Sequence, residues 1–437
     1  MSEHGSSEQT ALALFFFEIS KYEVTTYRPF IKTQHAMKRS NILLLLSADE
    51  QALRLTHLKK LMAQDGTDAM LLNINANLYY LTGRVYSGYI YIHRDVDAPT
   101  YFVKRPVDLE GDGVIAIHKP ENILEELQRH SLPMPKRLAL EQDTLPYNAV
   151  LRLCRALGVS TDDIANADAL LRHARAVKTP GEIQMIASSG SCHEHVYRMI
   201  PRLYRDNMTD IELQVEIERV SRLEGCLGQF RINGNDMELY MGNVLAGDNA
   251  DAPSPYDFAM GGAGADPSLP VGANGTILRP GMTVMVDVNG NYTGYMTDMT
   301  RTFVLGDIPE EAQRAHQLSI DICNTLAQMG RVGTAASNMY EKALDMARQA
   351  GLEHYFMGHR QHAGFVGHGV GIEINELPVI APRSRDILEA GNVIAIEPKF
   401  VIPGVGAIGI ENTYVVREDA PMRCLTNAPT QLINFEQ

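Results

Sequence analysis

The sequence predicts an α/β N-terminal domain followed by an α+β domain. Three observations predict this. A chain of 437 residues holds two or three domains at roughly 150 residues each. From about Ser47 to Leu171, helical spacing of apolar residues alternates with short apolar runs, the pattern of helices on a sheet. In the second half, strand-like runs come in pairs with two long helical patterns between them.

In chain order, Asp49–Ala63 has helical spacing at Leu53, Leu55, Leu58 and Leu61. Ala69–Leu72 and Tyr89–Ile92 read as short buried strands, Arg137–Leu140 as another strand, and Leu151–Leu157 as a helix. Thr179-Pro180 is an N-cap and first-turn pair, so a helix is expected from Gly181 to about Ile200. The expected domains are therefore 37–174 and 175–437. Residues 1–36 fit poorly with the rest of the chain and are read as an N-terminal appendage outside the folded core, a candidate for disorder; Met37 would be a natural second start. Gly242–Pro280 is rich in glycine and proline, and Gly261-Gly262-Ala263-Gly264 resembles a phosphate loop, but no Lys-Ser/Thr follows. Strands are then expected at Thr283–Val288, Thr300–Leu305, Val393–Ile396 and Gly409–Val416, and helices at Pro309–Met329 and Ala335–Ala350.

Composition excludes several classes. Apolar residues are 45% and charged residues 21%, which rules out wholesale disorder, collagen and coiled coil. A formal charge of −14 gives no electrostatic footprint for nucleic acid or an anionic membrane. No segment approaches the about 20 apolar residues that span a bilayer. Ala11–Phe17 lacks the basic flank and small-residue cleavage site of a signal peptide. The five cysteines form no CxxC, so disulfides and a Cys-type zinc site are not expected and a reducing, cytoplasmic setting fits.

Asp287 and Asp298 flank a turn-forming stretch. Two turns are possible, Asn289-Gly290 as a type I′ pair and Asn291–Gly294 as a type I turn; the second centres the hairpin between Tyr292 and Thr293 and puts the two acids directly opposite each other. Opposed side chains lie about 5 Å apart, where like charges repel; a cation between them removes the conflict. Glu397 and Glu411 are related in the same way about Gly404. His368 lies among glycines in Gly367–Gly371, which lets neighbouring backbone approach closely. Singly, each is more often a turn former, a solvated acid or a loop histidine. Jointly, four carboxylates and one imidazole suit divalent Mn, Fe, Co or Zn, and two such ions about 3.5–4 Å apart activate water and polarise a carbonyl.

These strings resemble the pita-bread metallopeptidases: methionine aminopeptidase, aminopeptidase P, prolidase and their relative creatinase. Carrying the resemblance are Val177–Glu182, Asp287 with Asp298–Phe303, Gly367–Gly371 with Glu376–Pro378, and Glu397-Pro398 with Glu411. It covers about 180–437 strongly and the preceding domain weakly. The resemblance implies a pita-bread catalytic domain holding two divalent ions. Asp287 would chelate one, Asp298 and Glu411 would bridge both, and His368 and Glu397 would hold the other, with Glu397 also the general base. It also implies a homodimer.

Three departures stand out. Asn375 occupies the place, seven residues after His368, where the peptidases carry a substrate-contacting His. No His lies between Ala246 and Asp287, where another helper is expected. Gly409 replaces an Arg two residues before Glu411. His362 is a candidate substitute helper. The leading expectation is an Xaa-Pro exopeptidase of the prolidase or aminopeptidase P type acting on a small peptide. The second is C–N hydrolysis or a lyase reaction on a small osmolyte-like molecule at the same metal site. A non-catalytic binding module comes last, because no ligand residue is lost.

Overall fold

The computed structural model describes residues 41–234 and 240–435; the expected appendage 1–36 lies outside them. The N-terminal domain is built on a six-stranded mixed sheet in the order β4-β3-β2-β1-β5-β6. Its strands are β1 (Ala69–Leu72), β2 (Ser87–His93), β3 (Thr100–Arg105), β4 (Val114–Ala116), β5 (Leu138–Leu140) and β6 (Ile164–Asn166). All of β1 is buried, as expected of a central strand covered on both faces. The expected first helix spans Ala48–Asp65, started by Ser47 and stopped by Gly66 in the left-handed region at φ 81°. The helix Ala167–Ala176 runs through the expected boundary at 174/175.

The helix Pro180–Met199 begins with a full capping box, Thr179 Oγ1 accepting from the Glu182 backbone and Glu182 accepting from the Thr179 backbone. Glu182 also accepts from the Tyr295 hydroxyl at 2.9 Å, which ties this helix to a hairpin 113 residues on. The helix Asp210–Leu223, absent from the sequence reading, packs beside it.

The second domain carries a four-stranded sheet in the order β17-β9-β8-β7, with β7 (Gly242–Ala246), β8 (Thr283–Asn291), β9 (Met296–Val304) and β17 (Ile433–Asn434). Beside it is a five-stranded sheet in the order β11-β10-β12-β15-β16: β10 (Gly367–Gly369), β11 (Glu376–Ile380), β12 (Val393–Ile396), β15 (Asn412–Val415) and β16 (Arg423–Cys424). A short ribbon of β13 (Lys399–Ile402) and β14 (Gly406–Gly409) completes it. The helices Glu310–Met329 and Ala336–Gln349 cover the outside, with Ile322, Leu326, Met339 and Ala343 in one core with Ile394 and Ile396.

Strands β8 and β9 are buried on both faces. Val284, Val286 and Val288 pack with Leu213 and Ile217 of the helix above; on the other face Met285 packs with Val401 and Ala407 of the β13–β14 ribbon. Tyr295, Ile372, Val393, Val415 and Leu425 join the N-terminal core, and residues Leu43–Gln437 form one unit. All five cysteines are free, and no helix of the described residues is long and apolar enough to cross a membrane.

Candidate metal centre

Two hairpins present the acids. In the first, Asp287 pairs with Thr300 and Asn289 with Asp298, so the acids are diagonal neighbours on one face, not directly opposed as expected. The slip arises in the loop. Tyr292–Tyr295 lies outside the ladder, closed by Asn291 Oδ1 accepting from the Gly294 backbone at 3.0 Å with Gly294 at φ 92°. The loop is held from outside by Ser189 donating to the Tyr295 carbonyl at 2.8 Å and Tyr79 to the Thr293 carbonyl at 2.9 Å. The second hairpin keeps the expected centre. Lys399 pairs with Gly409 and Ile402 with Gly406, Ile396 with Asn412, and Gly404 sits at φ 77°. Glu397 and Glu411 fall opposite each other in the break between the two ladders.

Threonines stitch the hairpins together. Thr300 Oγ1 donates to Glu411 Oε2 at 2.7 Å, and Thr413 Oγ1 to the Asp298 carbonyl at 2.9 Å. Arg301, buried, donates to the carbonyls of Thr300, Glu411, Ala428 and Pro429 and to Asn412 Oδ1. It fixes the strand carrying Glu411 without touching a carboxylate of the cluster.

His368 arrives on β10 between two glycines whose smallness is required. A Cβ on Gly367 would meet the Ala395 carbonyl at 2.4 Å, and one on Gly369 the Leu377 carbonyl at 2.1 Å. The imidazole Nδ1 lies 3.1 Å from the Gly369 carbonyl, which only accepts, so Nδ1 carries the hydrogen. That leaves Nε2 facing Glu397 Oε1 at 3.3 Å and Asp298 Oδ2 at 3.8 Å. A ring nitrogen directed at two carboxylates holds a proton there or gives that place to a cation. Asp298, His368 and Glu411 present ligand atoms within 4.8 Å of one another, as do Asp287, Glu397 and Glu411.

The second triad is not free. Lys399 Nζ lies 2.7 Å from Asp287 Oδ2, 2.6 Å from Glu397 Oε2 and 3.4 Å from Glu411 Oε2, and the side chain is wholly buried. Sequence reasoning missed it, although a residue two beyond Glu397 shares its side of an extended chain. Its cross-strand partner is Gly409, the position where the resemblance implies an arginine.

The electrostatics show a shortage of positive charge. Burial pushes Asp298 up to about 7, helped by Asp287 and Glu397. Burial and the acids Asp298 and Glu397 raise Glu411 well above the carboxylate range. Glu397 goes the other way: burial alone would raise it, but Lys399 and His368 bring it down to about 2. Burial would lower His368, yet Glu397 and Asp298 lift it to about 9. Burial would also lower Lys399, and Asp287, Glu397 and Glu411 outweigh it. Of the buried oxygens without a hydrogen-bond partner among the described residues, three lie at or beside the cavity: Glu411 Oε1, Asn289 Oδ1 and Asn243 Oδ1. Buried polar atoms are seldom left so. The donor set therefore fits a divalent ion between His368, Asp298, Glu397 and Glu411.

The cluster floors a cavity of about 90 Å³ lined by Asp287, Asp298, His368 and Glu397 with Phe365 and Phe258. Asn375 lines it too, but its amide is committed: Nδ2 donates to the Asn233 carbonyl and Oδ1 accepts from the Asn233 backbone, both at 2.7 Å. His362 lies elsewhere. It is exposed, sits in a neighbouring pocket with Asp257 and Gln361, and its Nδ1 lies 3.0 Å from the Phe356 carbonyl. The segment 358–362 closes on itself through the Gly358–His362 bridge and leaves His362 an exposed loop histidine.

Residues 184–418 match the family model for metallopeptidase family M24, and residues 54–177 match the creatinase/prolidase N-terminal domain. A Bacillus subtilis protein described as an uncharacterized peptidase, YqhT, is 26% identical over 387 residues, 87% of this chain and 99% of the relative. An Xaa-Pro dipeptidase of Pyrococcus furiosus is 25% identical over 389 residues, again 87% and 99%. Among solved structures, the prolidase of Pyrococcus horikoshii matches with a TM-score of 0.71 at 21% identity, over 87% of this chain and 100% of that one. The Xaa-Pro dipeptidase of Bacillus anthracis matches at 0.72 and 21%, over 88% and 99%. With a cluster suited to a divalent ion on its β8–β9 face and these matches along both halves, the chain belongs to metallopeptidase family M24: a creatinase/prolidase N-terminal domain followed by a pita-bread catalytic domain.

Proposed function

We propose that this protein is a metal-dependent exopeptidase that cleaves small Xaa-Pro peptides. The observation that carries the proposal is the cluster of Asp298, His368, Glu397 and Glu411, of which Asp298, His368 and Glu397 line one small cavity. The relatives described as Xaa-Pro dipeptidases support it.

The residues divide the work. Asp298, His368, Glu397 and Glu411 would hold the ion, which when bound supplies Lewis acidity to the scissile carbonyl and to water. Glu397 is the proposed proton acceptor: it lines the cavity, and Lys399 and His368 keep it ionised. A carboxylate held at about 2 is a weak base, so its contribution is one of position. Asn375 orients substrate indirectly, by pinning the segment at Asn233 through two hydrogen bonds. Phe365 and Phe258 supply the apolar wall.

A second reading, C–N hydrolysis of a small non-peptide molecule, is favoured by a specific feature. Among the described residues, His368 is the only histidine lining the cavity; Asn375 cannot donate and take back a proton as imidazole does. The deciding experiment is an assay of the metal-loaded protein on Xaa-Pro dipeptides and longer Xaa-Pro peptides. The peptidase proposal predicts metal-dependent cleavage at the bond before proline, lost in Asp298→Ala. No cleavage of any such peptide, with bound metal verified, would reject it in favour of the second reading.

A further inference from the structure

We propose that the Lys399 ammonium takes the place of one of the two divalent ions, so that the centre holds a single ion, on the His368 side. The inference rests on the cluster being a metal centre and specifies its stoichiometry; it replaces the expectation of two ions.

The ammonium stands where a second ion would have to sit. Asp287, Glu397 and Glu411 form one of the two triads able to hold an ion. An ion bound by three carboxylate oxygens sits about 2.0–2.2 Å from each, so it must lie in the space among them. That space holds Lys399 Nζ, in contact with an oxygen of all three acids. An ammonium and a divalent ion cannot share it, and side by side they would repel strongly at low dielectric. The strand that carries the ammonium is fixed in place. Lys399 is buried throughout. Its strand is held by the pairing with Gly409, by the Met357 backbone donating to the Lys399 carbonyl at 2.7 Å, and by the Lys399 backbone meeting Met357 Sδ at 3.4 Å. An ammonium with three donors matches three carboxylate acceptors.

The other half of the cluster differs. Lys399 makes no contact with His368 or Asp298 among its hydrogen bonds and ion pairs. There His368 Nε2 faces two carboxylates, and Glu411 Oε1, buried, has no partner. One half is closed by a built-in cation; the other has an unpartnered oxygen and an imidazole turned toward it. Lys399 is thus a positioning residue. It fixes Asp287 and Glu397 as a second ion would, without supplying a Lewis acid.

The test is the metal content of the full chain after dialysis against excess Mn²⁺, read by elemental analysis and electron paramagnetic resonance. The proposal predicts one ion per chain in the wild type, with the six-line signal of an isolated Mn²⁺. Lys399→Ala should take two ions per chain, with the signal broadened by spin coupling, and Lys399→Met, which keeps the stem and removes the charge, should gain no charge-based barrier but remain sterically closed, at one ion. Two ions in the wild type would overturn the proposal, as would none. If Lys399→Ala folds and still takes one, Lys399 is not what excludes the second. The wild-type measurement decides even if neither variant folds. Failure to cleave Xaa-Pro peptides with one ion bound would reject the peptidase reading and leave this one standing.

Discussion

Arg175, Lys178, Glu373 and Glu376 are buried as deeply as the acids around Lys399, yet the two groups are assembled differently. In the first, Arg175 pairs with Glu373 and with Glu376, the latter at 3.4 Å, and Lys178 with Glu376 at 2.9 Å. Two cations meet two acids. In the second, Lys399 meets three carboxylates and His368 faces Asp298 and Glu397, so two basic groups stand against four acids. Glu376 and Glu411 make the difference plain, since burial raises both. Lys178 and Arg175 overcome it and bring Glu376 below the ordinary value, whereas Asp298 and Glu397 add to it at Glu411. Balanced buried charge serves the fold, here joining the first domain to the second through Asn77, whose Oδ1 accepts from Arg175 at 2.8 Å. Unbalanced buried charge is the mark of a site that takes up a cation.

The largest expected effect separates the two clusters by one kind of change. Glu376→Gln should cost about 3–5 kcal/mol, because it leaves Arg175 and Lys178 short of a counter-charge. Glu411→Gln in metal-stripped protein should cost under about 1 kcal/mol, because it relieves a repulsion while giving up a hydrogen-bonded charge. Urea unfolding of both variants checks this; equal losses would erase the distinction.

A smaller effect concerns buried groups that carry no charge. Burial lowers His193 to about 3 and His316 to about 4. Their folded values lie below the unfolded value of about 6.5, so the unfolded chain binds protons first. Stability from this source is complete above about pH 6.5 and falls as the pH drops below it. By pH 5 each should cost about 2 kcal/mol. The loss should appear as a lower unfolding midpoint in metal-free protein and shrink in His193→Asn. An unchanged midpoint from pH 7 to 5 would contradict it.

The smallest concerns Asn375. Asn375→Ala removes both bonds to Asn233 and should cost about 1–2 kcal/mol. It should raise KM more than it lowers kcat, because it loosens a wall of the cavity. A fall in kcat with KM unchanged would mean that Asn375 acts on the reacting atoms.

These contrasts also mark what the sequence makes legible. The Glu397–Glu411 relation is readable because its hairpin turns on local geometry, with Gly404 at the centre. The Asp287–Asp298 register is not, because its loop is set by Tyr79, Ser189 and Glu182 from distant elements. Val393–Ile396 reads directly as a strand; Gly409–Val416 is split in two, since the chain leaves the β13–β14 ribbon at Gly409 and joins the larger sheet at Asn412. Lys399 escaped notice because an isolated lysine is ordinarily a solvated surface residue, and only the folded ladder shows that it points inward.

The central claim is that the acid cluster is short of positive charge and takes up a divalent ion through His368 and Asp298. Thermal unfolding of metal-stripped protein titrated with Mn²⁺ tests it most directly. An ion that binds only the folded chain stabilises it by about 2.7 kcal/mol at a hundred times its dissociation constant. The midpoint should therefore climb with Mn²⁺ concentration in the wild type and stay flat in His368→Ala. A wild-type midpoint indifferent to Mn²⁺, or one that climbs equally in His368→Ala, would contradict the account.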